Sequence, residues 1–401
     1  MHDKTAGVDF SGNLLETLRQ AEKQGMDAAA AEKVYNEYFT FQTRKKAVPY
    51  QGMFELTPLC NLKCKMCYVR LSPEQLGERS LLMADSWIRM IDQAAAAGMM
   101  KAALTGGECL THPDFDAIYL HLQELGIRTA VLTNGILLNE DRIRFFQRYP
   151  PALIQITLYG ASEEEYEQVC GTRHFETVLA NIRRAQEAGL SLFIAITPNR
   201  FLTDGGEALL KLAVSLDIPY NINSCLFTPF PGTGREKDSV DMEMEGYIRL
   251  YKLRAQMNGE VITPVDPASL PEVARQTEPQ KLGLRCGAGM NAFTIQWDGA
   301  MIPCSSLLQI RESPLRDGFQ AAWNAIHEAA LHFPIPAECE ACEYNSVCPS
   351  CVAIHAQDAP PGHASPRRCQ CARQLVESGL VRLHTPKDND FSHETKKEAA
   401  K

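Results

Sequence analysis

The sequence predicts an α/β fold: a partial (β/α)6, TIM-like barrel followed by a C-terminal cysteine-rich module. Three observations carry this expectation. Apolar runs of strand length recur at 54–57, 102–105, 129–133, 153–158, 192–197 and 220–224. Helical stretches lie between them, at 83–97, 113–125, 140–148, 175–188 and 206–216, and Gly98, Gly126 and Gly189 stand just past the last turn of three. Eight of the 14 cysteines fall between Cys286 and Cys371. Strand–helix alternation with short connections makes a parallel sheet wrapped by right-handed crossovers. Six such units are too few to close an eight-fold barrel, so the sheet stays open and its site lies at the strands' C-terminal ends.

Taken in order, residues 1–50 read as a helical N-terminal extension, in which Leu14, Leu15 and Leu18 share a face and 28–38 has a helical composition. It is too short for a core of its own and is expected to pack on the main domain or to contribute to partner binding. The barrel occupies 51–258 and ends with a turn-rich loop at 228–234 and a helix over 241–257. A linker follows at 259–285, irregular and marked by Pro264, Pro267, Pro271 and Pro279. The cysteine-rich domain spans 286–384. The tail, 385–401, is charged with Phe391 as its one large apolar residue, and is expected to be disordered.

An apolar fraction of 45% supports a sizeable core, and a formal charge of −9 without a long basic run argues against a nucleic-acid surface. No stretch reaches about 18 uncharged apolar residues, which excludes a membrane-spanning helix, and nothing resembles a signal peptide. A cytoplasmic protein is therefore expected. Its clustered cysteines then read as metal ligands in a reducing compartment rather than as disulfides.

The most informative stretch is Cys60-Asn61-Leu62-Lys63-Cys64-Lys65-Met66-Cys67, which follows the first strand directly after Pro58. Soft thiolates in one polar loop favour an iron–sulfur cluster or zinc. Three ligands on a four-iron cluster leave one iron open to a non-protein ligand. Closed zinc requires a fourth ligand, and the nearest candidates, Cys109 and His112, sit in another loop. The second strand ends in Thr105-Gly106-Gly107-Glu108. Two glycines let a loop pass close to a ligand, and a carboxylate beside them can grip an ammonium group. Tight turns use glycine too, but in a parallel barrel the loops after strands one and two adjoin.

Together these motifs resemble the radical S-adenosylmethionine superfamily. The resemblance implies that Cys60, Cys64 and Cys67 hold a 4Fe-4S cluster whose open iron chelates S-adenosylmethionine. Reductive cleavage then yields methionine and a 5′-deoxyadenosyl radical that abstracts a substrate hydrogen. It also implies that Gly106, Gly107 and Glu108 bind the methionine amino group. Met66 stands where the family usually has an aromatic residue, and still packs against adenine. Thr157, at the end of strand four, corresponds to a ribose-contacting hydroxyl; Thr133, Asn134, Thr197 and Asn199 sit at neighbouring strand ends. Ordinary turn and cap chemistry also places Thr and Asn there.

The C-terminal cysteines run Cys286, Cys304, then Cys339-x2-Cys342-x5-Cys348-x2-Cys351, then Cys369 and Cys371. Paired zinc sites are the generic reading of such spacing. The whole pattern resembles the SPASM domain of radical enzymes that mature peptides and proteins. By that resemblance Cys286, Cys304 and Cys351 bind a first auxiliary cluster, while Cys339, Cys342, Cys348 and either Cys369 or Cys371 bind a second, with Cys369 preferred. Cys109, Cys170 and Cys225 read as buried structural thiols.

The implied activity is modification of a ribosomally made precursor peptide, by thioether or carbon–carbon crosslinking or by epimerisation. An electron donor such as flavodoxin or ferredoxin is implied as a second partner. Ser305 follows Cys304 where sulfatase-maturing members place an aspartate, which disfavours that oxidative activity on a protein side chain or small molecule. The 50 residues before the barrel are too few for the peptide-recognition domain many relatives carry. A non-catalytic iron–sulfur or zinc protein is the alternative from another class. No catalytic base or hydrogen donor is identifiable from sequence.

Overall fold

The structure is a computed structural model that describes residues 13–23, 28–223, 240–260, 262, 284, 286–340, 342–345, 348, 350–360 and 362–380. The 228–234 loop, most of the expected linker, Cys225 and the expected tail lie outside these residues. Two helices come first, α1 (Leu14–Lys23) and α2 (Ala28–Lys45). The sheet then opens with β1 (Gln51–Thr57), and the chain continues through α3 (Pro73–Leu76), α4 (Ala84–Ala96), β2 (Lys101–Gly106), α5 (Phe115–Glu124), β3 (Arg128–Thr133), α6 (Glu140–Arg148) and β4 (Leu153–Leu158). The second half of the barrel adds α7 (Glu163–Cys170), α8 (Phe175–Glu187), β5 (Leu192–Ile196), α9 (Glu207–Ser215), β6 (Tyr220–Ile222) and α10 (Met244–Met257).

All six expected strands form and pair in parallel with their chain neighbours. Gly98, Gly126 and Gly189 adopt the positive φ that ends the preceding helices. Sequence reading missed α7, although Ser162 caps it by accepting from the Glu165 N–H, a serine–glutamate start signal that was legible. It also placed the end of the sheet too early. Two further strands, β7 (Ala292–Ile295) and β8 (Met301–Ile302), continue it in the order β6-β5-β4-β3-β2-β1-β7-β8. β7 is parallel to β1 and β8 antiparallel to β7. Residues past 286 thus share the barrel's sheet. Without β7, β1 would present an open row of backbone donors and acceptors; four residues with no following helix are too short to announce themselves.

Alternation along the strands divides the core. On the outer face Phe54 and Leu56 are fully buried, and Phe54 meets Trp87 of α4 edge-on with ring centroids 6.2 Å apart. Burying a side chain of this size contributes roughly 2 kcal/mol. On the inner face Met53, Ala103, Ala130, Leu153 and Phe193 make an apolar floor, and small alanines suit its narrow end. Above that floor the inward positions become polar, with Glu55 and Thr105 side by side in register. One extra residue in β1 between Glu55 and Thr57 shifts the pairing with β2 immediately before the cysteine loop.

The N-terminal extension packs on the main domain. The side-chain amide of Asn291 donates to Thr43 Oγ1 at 3.0 Å, and Lys101 Nζ donates to Asn36 Oδ1 at 3.4 Å. The Trp323 indole N–H donates to the Ala47 carbonyl at 2.7 Å. Leu15, expected on the buried face of α1, is exposed. Among the described residues no helix is long and apolar enough to cross a membrane.

Candidate active site

The cysteine loop is clasped from two sides. The Gly107 N–H donates to the Thr57 carbonyl at 2.7 Å, and the Glu108 N–H to the Leu59 carbonyl at 2.9 Å. On the other side, the Lys63 and Lys65 N–H groups donate to the Cys170 and Val169 carbonyls at the end of α7, at 2.9 and 3.0 Å. Glycine is obligatory in the first clasp. A Cβ on Gly107 would stand 2.3 Å from the Leu59 carbonyl oxygen, and one on Gly106, which has φ of 132°, would stand 2.4 Å from that of Thr57. The glycines expected to admit a ligand thus also admit the backbone of the neighbouring loop.

Donors surround the thiols. The Leu62 N–H points at Cys60 Sγ at 3.4 Å, the Arg70 N–H at Cys67 Sγ at 3.2 Å, and the Asn134 amide at Cys60 Sγ at 3.7 Å. Such contacts stabilise negative sulfur and tune a bound cluster. Burial raises the Cys60 thiol pKa, with the Leu62 N–H opposing and Glu108, Cys64 and Cys67 adding to the rise. Cys64 is raised by a hydrogen bond with Cys170 first and by burial second. Crowded, largely buried thiols of this kind become thiolates together only against compensating positive charge, which iron would bring.

The donor set therefore fits an iron–sulfur cluster. Among the described residues, no three Cys, His, Asp or Glu side chains converge as ligands of a single ion would. A four-iron cluster offers each thiolate its own iron and asks for a wider set. The two outside candidates for zinc are committed elsewhere. The Cys109 thiol donates to the Leu132 carbonyl at 3.3 Å, and His112 bonds the Leu82 carbonyl and the Asp114 N–H at 2.9 and 3.1 Å.

Glu108 is fixed across the strand ends. Its Oε1 accepts from Thr133 Oγ1 at 2.8 Å and the Leu110 N–H at 3.1 Å, and its Oε2 from the Asn134 N–H at 2.8 Å. Burial nonetheless holds its pKa above the usual carboxylate value, because these bonds only partly offset desolvation. Asn134 also donates to Asn61 Oδ1 at 2.7 Å, which ties β3's end to the cysteine loop. Met66 is buried in the main core, and Thr157 is half-buried at the end of β4. Asn199 is fully buried with its amide donating to the Tyr159 and Thr197 carbonyls, so its donors join the ends of β4 and β5.

In the C-terminal module, Cys286, Cys304 and Cys351 pack on one small apolar cluster around Leu284, Leu307 and Ala353. Burial pushes the Cys304 thiol up to about 12, with Cys286 and Cys351 adding to the rise, so these sequence-distant cysteines lie near one another. The Cys342 N–H donates to the Cys339 carbonyl at 3.3 Å. Cys369 has its pKa raised by burial and then by Cys342, whereas the charged groups felt by Cys371 are Arg368, Arg367 and Asp241. Cys369 thus lies near Cys342, and Cys371 near the two arginines.

Sequence reading missed Glu55, Tyr68 and Gln296. They form a buried polar group inside the barrel with Ser305, whose hydroxyl donates to Glu55 Oε1 at 3.3 Å. A charged residue alternating inward in an otherwise apolar strand was the available signal.

Comparison with known proteins agrees with this arrangement. Residues 54–213 match the Radical SAM superfamily. The chain is 25% identical over 288 residues to the antilisterial bacteriocin subtilosin biosynthesis protein AlbA of Bacillus subtilis, covering 71% of this chain and 60% of that protein's length. It is 26% identical over 325 residues to an AdoMet-dependent heme synthase of Methanosarcina barkeri, covering 75% of this chain and 90% of that one. Among solved structures, Streptococcus suis SuiB bound to precursor peptide SuiA superposes with a TM-score of 0.63 at 17% identity, over 90% of this chain and 82% of SuiB. Native anSMEcpe with bound AdoMet gives 0.62 at 17% identity, over 83% of this chain and 97% of that one.

Proposed function

Residues 54–213 match the Radical SAM superfamily, and from that premise we propose that the chain is a radical S-adenosylmethionine, peptide-modifying enzyme with a SPASM-type C-terminal module. The observation that carries the reading is the double clasp that sets Cys60, Cys64 and Cys67 against Glu108 at one end of the barrel. Bound by those cysteines, a four-iron cluster with S-adenosylmethionine supplies a hydrogen-abstracting 5′-deoxyadenosyl radical.

The chain's own residues do the positioning. Glu108, already pinned by Thr133, Leu110 and Asn134, offers its remaining carboxylate capacity to the cofactor's ammonium group, and Gly106 and Gly107 bring backbone beside it. Met66 and Thr157 line the adenosine side. Asn199 acts one step back, holding two strand ends in register. Cys286, Cys304 and Cys351 hold one auxiliary cluster, and Cys339, Cys342, Cys348 and Cys369 another. An external flavodoxin or ferredoxin supplies the reducing electron.

A ribosomally made peptide is the favoured substrate because AlbA is a bacteriocin biosynthesis protein and SuiB's fold is seen with a precursor peptide. Coexpression with short open reading frames from the same locus, followed by mass spectrometry, tests it. A peptide lighter by two hydrogens supports crosslinking, and exchange of one Cα hydrogen with solvent deuterium supports epimerisation. Absence of 5′-deoxyadenosine under reducing conditions with every such peptide refutes the reading. The near full-length match to a heme synthase favours a second reading, oxidative modification of a small molecule; turnover of a tetrapyrrole with no peptide product selects it.

A further inference from the structure

Glu55 is a fully buried carboxylate with one of its two oxygens left unsatisfied. It lies in the middle of β1, fully buried, on the face that alternation turns to the barrel interior. Its Oε1 takes the Ser305 hydroxyl at 3.3 Å across 250 residues of sequence, while Oε2 is buried with no hydrogen-bond partner. Gln296 follows Ile295, the last residue of β7, whose partner is Phe54, and its side chain is a donor facing Glu55. An orphaned carboxylate oxygen costs about 1–3 kcal/mol or more, so strands shed such groups unless something uses them.

Its surroundings say what that use is. Tyr68 follows Cys67, and Ser305 follows Cys304. Glu55 therefore stands inside the barrel between the two cysteine sites, beside the residue next to each. Burial raises its pKa to about 7; Asp298 adds to the rise, while Ser305, Gln296 and Tyr68 oppose it. The titratable groups facing it are thus Tyr68 and Asp298. A carboxylate in this range accepts a proton at neutral pH and holds it.

We propose that Glu55 is the catalytic proton acceptor for the substrate, with Oε2 as the receiving atom. This rests on the peptide-modifying reading and names the group that completes its balance. In a crosslinking turnover the substrate carbon loses a hydrogen atom to the 5′-deoxyadenosyl radical, which becomes 5′-deoxyadenosine. The new bond to a second substrate atom then forms as that atom's S–H, O–H or N–H bond breaks. Its proton would pass to Glu55, and the surplus electron would go to a one-electron acceptor of the iron–sulfur class, which Cys286, Cys304 and Cys351 would hold.

Glu55→Gln in the reconstituted holoenzyme tests this, because glutamine keeps the shape and the Ser305 contact but accepts no proton. The expected result is 5′-deoxyadenosine within about threefold of wild type and crosslinked peptide reduced about 100-fold or more. Ser305→Asp in the Glu55→Gln background returns a carboxylate to the same spot and restores part of the product. Wild-type product formation by Glu55→Gln overturns the proposal. An infrared readout needs no turnover: a protonated-carboxyl band that fades between about pH 5.5 and about pH 8.5, shifts when peptide is added and vanishes in Glu55→Gln. If Glu55→Gln fails to fold, Glu55→Asp is read instead: it keeps a carboxyl, so it must shift the carboxyl band and its midpoint while retaining part of the product. If wild type modifies no peptide, the peptide reading fails separately; a carboxyl band indifferent to substitution at 55 overturns Glu55 itself.

Discussion

The Gly107 N–H and the Thr57 carbonyl, 2.7 Å apart, bind the loop after β2 to the end of β1 just ahead of the first cysteine. That contact makes one rigid unit of two loops whose chemistry must be shared. It also explains why the position has no side chain.

Gly107→Ala forces a Cβ to within 2.3 Å of the Leu59 carbonyl oxygen, and backbone must move. The cost is about 1–3 kcal/mol, in line with overpacking elsewhere. A lowered Tm is expected together with reduced iron and sulfide content after anaerobic reconstitution. Full iron loading with unchanged S-adenosylmethionine cleavage contradicts the clasp.

Cys64→Ala leaves two thiolates in the loop, and 5′-deoxyadenosine formation is expected to disappear while the auxiliary iron remains. The same assay separates the late cysteines. Cys369→Ala should lose the iron of one auxiliary cluster, whereas Cys371→Ala, whose thiol senses Arg368 and Arg367, should keep it. Equal iron contents in these two variants reject the assignment.

Glu108→Gln places an amide opposite the Asn134 N–H, Leu110 N–H and Thr133 hydroxyl, all of which donate. One bond at least must break, costing about 1–3 kcal/mol in a buried site. Calorimetry on the reconstituted protein should show weaker S-adenosylmethionine binding as well. Wild-type affinity in a folded variant excludes an ammonium contact.

Stability should fall as pH rises towards neutrality. Unfolded, Glu55 releases its proton near pH 4.5; folded, burial holds it until about 7. Folding therefore takes up a proton between those values. Its contribution is fully present below pH 4.5 and is lost by about 3 kcal/mol on passing through 7. Denaturant titrations across this window should show the slope in wild type and a flatter one in Glu55→Gln. Parallel curves deny that Glu55 titrates there.

Much of this was legible in the chain. The six strands between Gln51 and Ile222, the cysteine loop and the glycine–glutamate loop depend on residues close in sequence, where spacing alone carries the period and the ligands. α7 is equally local, since its Ser162 cap stands one residue before it. β7 is not, because four residues have no pattern of their own until β1 needs a partner.

The sequence by itself therefore determined the repeating strand–helix units, the thiol spacing and the family resemblance, since each is local chemistry written within a few residues. Only the tertiary structure decided which distant groups meet. It brought Cys304 to Cys286 and Cys351, turned Cys369 rather than Cys371 towards Cys342, and set Ser305 on Glu55. Those meetings follow from sheet order and from burial of shared apolar surface, and no spacing along the chain encodes them.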